Sequence, residues 1–155
     1  MTEIRERAAA GIEVGDEFRV MRRFSEADVK AFAAVSRDDN PIHYYADFIE
    51  AKQMSAPICH GLLVASLLTE VGGQIGWLAS GMDLKFKKPV YVEETVTCVF
   101  KVTEIGAQNR ARAEVQFFNG KNEVVIDAVL TGILPNEAER EILRKLANRE
   151  KQKPV

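Results

Sequence analysis

The sequence predicts an α+β fold in which an antiparallel β-sheet wraps around a central helix. Three observations carry that expectation. Residues 61–71 are apolar nearly all round and too long for a comfortable single strand, so they read as a buried helix running on to about Trp77. Four segments rich in Val, Ile, Phe and Thr follow it. Turn formers separate these segments, which favours an antiparallel meander over alternating strand–helix–strand units.

The elements follow in chain order. Residues 1–16 are polar with scattered apolar positions and read as a lead-in. Phe18–Phe24 alternates imperfectly and reads as a strand. Ser25-Glu26-Ala27-Asp28 is a capping box that starts a helix carrying Val29, Phe32, Ala33 and Val35. That helix stops near Ser36, because Asp38, Asp39, Asn40 and Pro41 are turn formers and Pro41 disfavours helix at Asn40. Tyr45–Lys52 reads as a short helix, followed by a loop through Ser55 and Pro57. The buried helix comes next, with Gly72 and Gly73 weakening its second half. Strands are expected over Met82–Phe86, Thr95–Val102, Arg110–Phe118 and Glu123–Leu134, with Asn119-Gly120 as a hairpin signal. A charged helix over about 136–150 follows, with apolar positions at Ala138, Ile142, Leu143 and Leu146, and the last Lys/Gln-rich residues fray. One domain over residues 1–155, with its core at about 17–134, accommodates all of this. A helix covered on one side by its own sheet needs cover elsewhere, and edge strands need protection, so a homodimer is a natural solution.

Composition narrows the function classes. With 46% apolar and 28% charged residues and a formal net charge of −2, nothing calls for nucleic acid or an anionic membrane surface. No stretch approaches the roughly 18 apolar residues of a membrane span, and the N-terminal residues lack a secretory signal's apolar core. Cys59 and Cys98 have no metal-ligand spacing, so a reduced, cytoplasmic protein is the expectation. Only two histidines occur, His43 and His60, neither in a HExxH or Cys-rich setting, which argues against a dedicated metal site. No GxGxxG or Walker-type loop supports a nucleotide cofactor.

The candidate chemistry lies in Ser36-Arg37-Asp38-Asp39-Asn40-Pro41-Ile42-His43. The Asn40-Pro41 break can fold the Asp38 carboxylate and the His43 imidazole toward a common point, where the pair could hold a water. Asn40 offers both a donor and an acceptor to fix the turn. Local pattern alone favours a plainer reading, a polar turn with a packed or surface histidine. Gly61 occupies the first turn of the buried helix, where N–H groups are unpaired, and its missing side chain would let a ligand carbonyl approach. It could equally be an ordinary helix start. His60 could orient the loop or touch substrate, and a buried histidine bonded to backbone is the plainer account. A Cys59–His60 nucleophile–base pair is disfavoured because adjacent side chains diverge. Ser66 reads as a helix serine bonded to a carbonyl about four residues back. Lys85, Lys87 and Lys88 form a basic patch suited to phosphates or simply to solvent. Phe86, Tyr91, Phe100, Phe117 and Phe118 read as sheet core rather than nucleic-acid stacking platforms.

These residues resemble a known family. Asp38-Asp39-Asn40-Pro41-Ile42-His43, then Cys59-His60-Gly61-Leu62-Leu63-Val64-Ala65-Ser66, and later Leu84–Val96 are similar in order to three segments of the MaoC-like dehydratases, particularly the (R)-specific enoyl-CoA hydratases. The resemblance spans about residues 17–134. It implies a hot-dog fold and a homodimer with substrate near the subunit interface. It implies catalytic roles for Asp38 and His43, a supporting role for Asn40, and a thioester-oxygen contact for the Gly61 N–H. Helix spacing places Thr69 and Gly72 along the acyl tunnel.

The implied reaction is reversible syn hydration of a trans-2-enoyl-CoA to a (3R)-hydroxyacyl-CoA, without a cofactor beyond the coenzyme A of the substrate. A carrier-protein substrate is the close alternative; a thioesterase or a non-catalytic acyl-CoA-binding subunit is more remote. Two departures from the family pattern stand out. Arg37 replaces the usual glycine before Asp38, which could redirect the loop or offer a cation to substrate phosphates. Trp77–Gly81 replaces a Pro-Gly, which could reshape the end of the tunnel. The expected substrate contacts are Arg37, His60, Thr69, Gly72, Lys85 and Lys87.

Overall fold

The computed structural model describes residues 2–151. Its centre is one antiparallel sheet of five strands in the order β1-β3-β4-β5-β2, comprising β1 (Glu17–Arg23), β2 (Leu78–Phe86), β3 (Thr95–Ile105), β4 (Arg110–Phe118) and β5 (Val124–Ile133). Alternation sets the two faces. Val96, Cys98, Phe100 and Val102 of β3 are fully buried, as are Ala113 and Phe117 of β4, while residues between them reach solvent.

The buried face packs against the central helical run. That run is two helices, α4 (Gly61–Ala65) and α5 (Leu67–Ile75), rather than the single one expected. The break falls at Ser66, whose hydroxyl donates to the Leu63 carbonyl three residues back at 2.6 Å; a serine bonding its own backbone in this way loosens a helix. Val64, Leu67, Val71 and Ile75 enter the core, but Leu62, Thr69 and Gly73 are exposed along an open face. The helix is therefore not buried all round.

The sheet order corrects the expected meander. β3, β4 and β5 are consecutive neighbours, yet β2 pairs with β5 through Leu84↔Ala128 and Phe86↔Ile126, and so lies at the edge opposite β1. Residues 87–94 must therefore cross from one side of the sheet to the other. β2 also begins at Leu78, earlier than expected, because Gly81 sits at a bulge that interrupts the alternation without ending the pairing. The hairpin after β4 forms, but its left-handed residue is Asn122 (φ +60°) rather than Gly120. Asn119 Oδ1 accepts from the N–H groups of both Lys121 and Glu123, which sets the longer loop.

Within residues 1–16, read from sequence as a lead-in, α1 (Thr2–Ala10) forms and packs on the C-terminal helix α6 (Glu137–Lys151) with Ala8, Ala9 and Ala147 buried. A nine-residue helix owes its stability to such packing rather than to local propensity, so a scan of its own sequence misses it. Asn136 caps α6 by accepting from the Glu139 N–H, while Glu139 accepts from the Asn136 N–H. Of its apolar positions, Ile142 and Leu146 face solvent. The fraying expected at the extreme C-terminus lies outside the described residues. No helix among the described residues is long and apolar enough to cross a membrane.

Trp77 closes the interior beyond α5. Its ring meets Phe100 edge-on at 5.4 Å and lies directly against Gly132 of β5, where a Cβ would also stand 2.7 Å from the Leu78 carbonyl oxygen. Gly132→Ala is therefore expected to destabilise the fold by about 1–3 kcal/mol through overpacking, read as a lower midpoint in denaturant with an unchanged slope.

Candidate active site

The site begins where α2 (Glu26–Ser36) ends. The capping box is present at its start, with Ser25 Oγ accepting from the Asp28 N–H and Asp28 Oδ2 accepting from the Ser25 N–H. At its end Arg37 adopts a left-handed conformation (φ +58°) and donates its N–H to the Ala33 carbonyl at 2.8 Å. This conformation is the one glycine favours.

The chain then turns on its own side chains. Asp38 Oδ1 accepts from the Asn40 N–H at 3.2 Å, and Asn40 Oδ1 accepts from the Ile42 N–H at 3.2 Å. Asn40 caps a single 3₁₀ turn, Pro41–His43, with proline at its first position. The turn carries His43 inward to 8% exposure, while Asp38 stays exposed.

His43 Nδ1 lies 2.7 Å from the Ile58 carbonyl oxygen. A carbonyl only accepts, so Nδ1 carries the hydrogen and the neutral ring keeps its lone pair on Nε2. Burial holds the His43 pKa below its ordinary value near 6.5; the Ile58 bond opposes that shift, His60 adds to it and Asp38 opposes it. An exposed carboxylate and a neutral imidazole with a free lone pair thus face one cleft.

The Ile58 carbonyl is itself fixed by the crossing segment. Cys59 N–H donates to Val90 O at 2.7 Å, Val92 N–H donates to Pro57 O at 3.2 Å, and Ile58 bridges to Tyr91. The chain then enters α4 at Gly61 with His60 as N-cap and no side-chain cap, leaving the first-turn N–H groups without an intrahelical partner. A Cβ on Gly61 would stand 2.7 Å from the Phe86 ring, so the ring rests against the helix start because residue 61 has no side chain.

Asp38, Asn40, His43, His60, Gly61 and Lys87 all line one cleft of about 700 Å³. Arg37, Thr69, Gly72 and Lys85 lie outside it. Arg37 is a helix C-cap, and Thr69 donates its hydroxyl to the Ser66 carbonyl on the open face of α5. Gly72 is buried, with Trp77 its nearest side chain, and Lys85 alternates with Phe86 to the outer sheet face beside Asp127. At the cleft, Lys87 is 3.9 Å from Asp127 and Lys88 2.6 Å from Glu123, so both cations already have carboxylate neighbours.

Several cleft residues escaped the sequence reading. Phe86, assigned to the sheet core, is 53% exposed and forms a wall, as do Phe32, Met54 and Leu62. Alternation with Lys85 could have placed Phe86 on the inner face, but not its position over Gly61. Cys59 is buried and its thiol is pushed up to about 12, chiefly by burial, so it is no nucleophile at neutral pH.

One ligand atom each from Asp38, His43 and His60 lies within 4.8 Å of the other two, a set that could hold a metal ion. The two imidazoles, however, stack at 3.8 Å with an interplanar angle of 31°, and each has one nitrogen against a main-chain carbonyl. Stacked rings direct their lone pairs side by side rather than at one centre.

The sequence pattern of the MaoC like domain matches residues 8–125. The chain belongs to the MaoC-like family. An (R)-specific enoyl-CoA hydratase of Aeromonas caviae is 40% identical over 102 residues, covering 63% of this chain and 76% of the relative. A mitochondrial 3-hydroxyacyl-[acyl-carrier-protein] dehydratase of Arabidopsis thaliana is 33% identical over 131 residues, covering 81% of this chain and 79% of the relative. The solved structure of the (R)-hydratase from A. caviae superposes with a TM-score of 0.76 at 34% identity, covering 81% of this chain and 98% of that one. The five-stranded sheet on its helix is thus the hot-dog fold, as in other MaoC-like proteins.

The buried setting of His43 gives a direct test. Burial penalises the imidazolium, so the proton leaves at a lower pH than from an exposed histidine. The His43 ring signals, followed by NMR, are expected to titrate with a midpoint below 6.5. A midpoint above that value contradicts the site's electrostatics.

Proposed function

We propose that the protein catalyses reversible syn hydration of trans-2-enoyl-CoA to (3R)-hydroxyacyl-CoA. The observation that carries this reading is the meeting, in one cleft, of the Asp38 carboxylate, the His43 imidazole and the Gly61 helix start. The names of the A. caviae and Arabidopsis relatives support the same class of chemistry.

In the hydration direction, Asp38 and the His43 Nε2 lone pair together hold one water. One of the two takes its proton as the oxygen bonds to C3 of the enoyl group. Electron density moves to the thioester oxygen, where the Gly61 N–H meets the developing charge. The enolate then collapses as C2 receives a proton on the same face, so the whole water is added and no redox partner is needed. Asn40 keeps the turn folded, and coenzyme A enters only as part of the substrate.

The second reading, action on the same acyl group carried by acyl carrier protein, is favoured by the Arabidopsis relative, whose match covers 81% of this chain. Both reactions use the same cleft. Matched CoA and carrier-protein thioesters assayed side by side distinguish them by kcat/KM.

The reading includes a homodimer. Met82 and Phe86 are exposed along the inner side of edge strand β2, and Leu62 is 59% exposed on the adjoining helix. Such an apolar edge calls for cover, and a second copy supplies it. Sedimentation is expected to give twice the 17.3 kDa chain mass; a monomer at micromolar concentration refutes this part.

Asp38→Asn and His43→Ala are each expected to lower kcat for crotonyl-CoA hydration by roughly 100- to 10,000-fold while the circular dichroism spectrum stays unchanged. Chiral analysis of the wild-type product is expected to give the 3R alcohol. Near-normal turnover by either variant, or a 3S product, sinks the proposal.

A further inference from the structure

His60 joins the parts of this site that carry different chemistry. Its imidazole is 1% exposed and lies immediately before Gly61. Nε2 is 3.1 Å from the Asp38 carbonyl oxygen and must carry the hydrogen, because the carbonyl can only accept. The Tyr44 hydroxyl lies 3.4 Å from the same nitrogen. The ring stacks on His43 at 3.8 Å, and Phe32 of α2 packs at 5.1 Å on the tilt.

Other ties on the Asp38 loop are local. The Asp38 N–H donates to Ser36 Oγ, its carboxylate accepts from the Asn40 N–H, and the Asn40 carbonyl accepts from the His43 N–H. These bonds shape the turn but do not fix it relative to α4. Among the described residues, the His60 bond is the only hydrogen bond of residues 38–40 that reaches more than four positions along the chain.

The other imidazole nitrogen sharpens the point. Nδ1 of His60 is buried and has no hydrogen-bond partner. A leucine or phenylalanine at a site this enclosed would leave no polar atom unpaired, and unpaired buried polar atoms are costly. An imidazole here is accounted for by what Nε2–H does for Asp38. Its ring face also sets the plane against which His43 rests, complementing the Ile58 carbonyl that fixes the far edge of His43.

We propose that His60 is the positioning residue of the site: its Nε2–H bond to the Asp38 carbonyl and its stacking on His43 hold both groups in register with the Gly61 N–H. Although His60 borders the cleft, its ring is 1% exposed, so the role assigned to it is to hold these groups rather than to bind substrate. This inference rests on the hydration reading. Its logic is geometric, since groups that must share one water and one thioester lose rate steeply when one shifts by about 1 Å.

The test uses the full-length protein and crotonyl-CoA, with His60→Gln and His60→Asn compared with wild type. A glutamine side chain carries an amide N–H to the place of Nε2; asparagine is too short to do so. His60→Asn is expected to lower kcat by about 10- to 100-fold with KM held within about threefold, whereas His60→Gln stays within about fivefold of wild-type kcat. Wild-type kcat in His60→Asn overturns the inference. So do equal losses in two folded variants, or a raised KM with unchanged kcat, which would make His60 a substrate contact. If neither variant folds, the role is structural and the inference is equally overturned. Inactive wild-type protein refutes the hydration reading itself, a result separate from any behaviour of the variants.

Discussion

The pairing of residues 57–59 with the crossing segment 90–92 is the constraint on which the rest of the site depends. β2 and β3 occupy opposite parts of the sheet, so the chain between them must pass across its end. In doing so it offers the Val90 carbonyl to Cys59 and takes the Pro57 carbonyl for Val92. That short ladder is backbone to backbone, so it prescribes little sequence, but it fixes where the Ile58 carbonyl points and where α4 begins. The Ile58 carbonyl then selects the tautomer of His43, and the start of α4 delivers His60 and Gly61. Sheet topology thus reaches the chemistry through two carbonyl groups.

The dependence runs outward as well. A carboxylate on an exposed turn would ordinarily be mobile, and an imidazole on a three-residue 3₁₀ turn has little stiffness of its own. Rigidity comes from stacking these short pieces on buried rings and on the crossing segment. The apolar walls, Phe32, Leu62, Val64, Phe86 and Ile126, belong to the sheet and helices beneath. Polar groups are thus presented mainly by loops and apolar groups mainly by regular structure, the division that suits the proposed hydration of an acyl thioester.

What was legible in the sequence follows from the range of each interaction. β1, β4, the capping box at Ser25 and the stop at Ser36 depend on residues a few positions apart, and the structure matches them. The Asp38–His43 turn was legible for the same reason, because aspartate, asparagine and proline shape it by bonds two residues long. The order of the sheet, the existence of α1 and the open face of α5 depend on partners far along the chain, and no local pattern encodes them. The same limit explains the scattered substrate contacts. Lys85 and Lys87 are two apart on what reads as one basic patch, yet the strand ends between them and only Lys87 reaches the cleft. His60 was visible as a buried histidine bonded to backbone, but the identity of that backbone, Asp38, needed the fold.

Arg37 shows how the loop tolerates a departure from the family pattern. A non-glycine residue at φ +58° is under mild strain, of order 1 kcal/mol, which glycine would avoid. The strain is confined to the helix cap, because the Arg37 N–H still finds the Ala33 carbonyl and the Asp38 N–H finds Ser36 Oγ. The turn therefore closes with arginine at its cap. What changes is stiffness. Glycine at this cap widens the range of backbone angles in both folded and unfolded chains, whereas arginine narrows it. Such narrowing suits the proposed mechanism, in which the Asp38 carboxylate shares a water with His43. The substitution is thus better understood through the backbone it restricts than through the charge it carries, since Arg37 does not line the cleft.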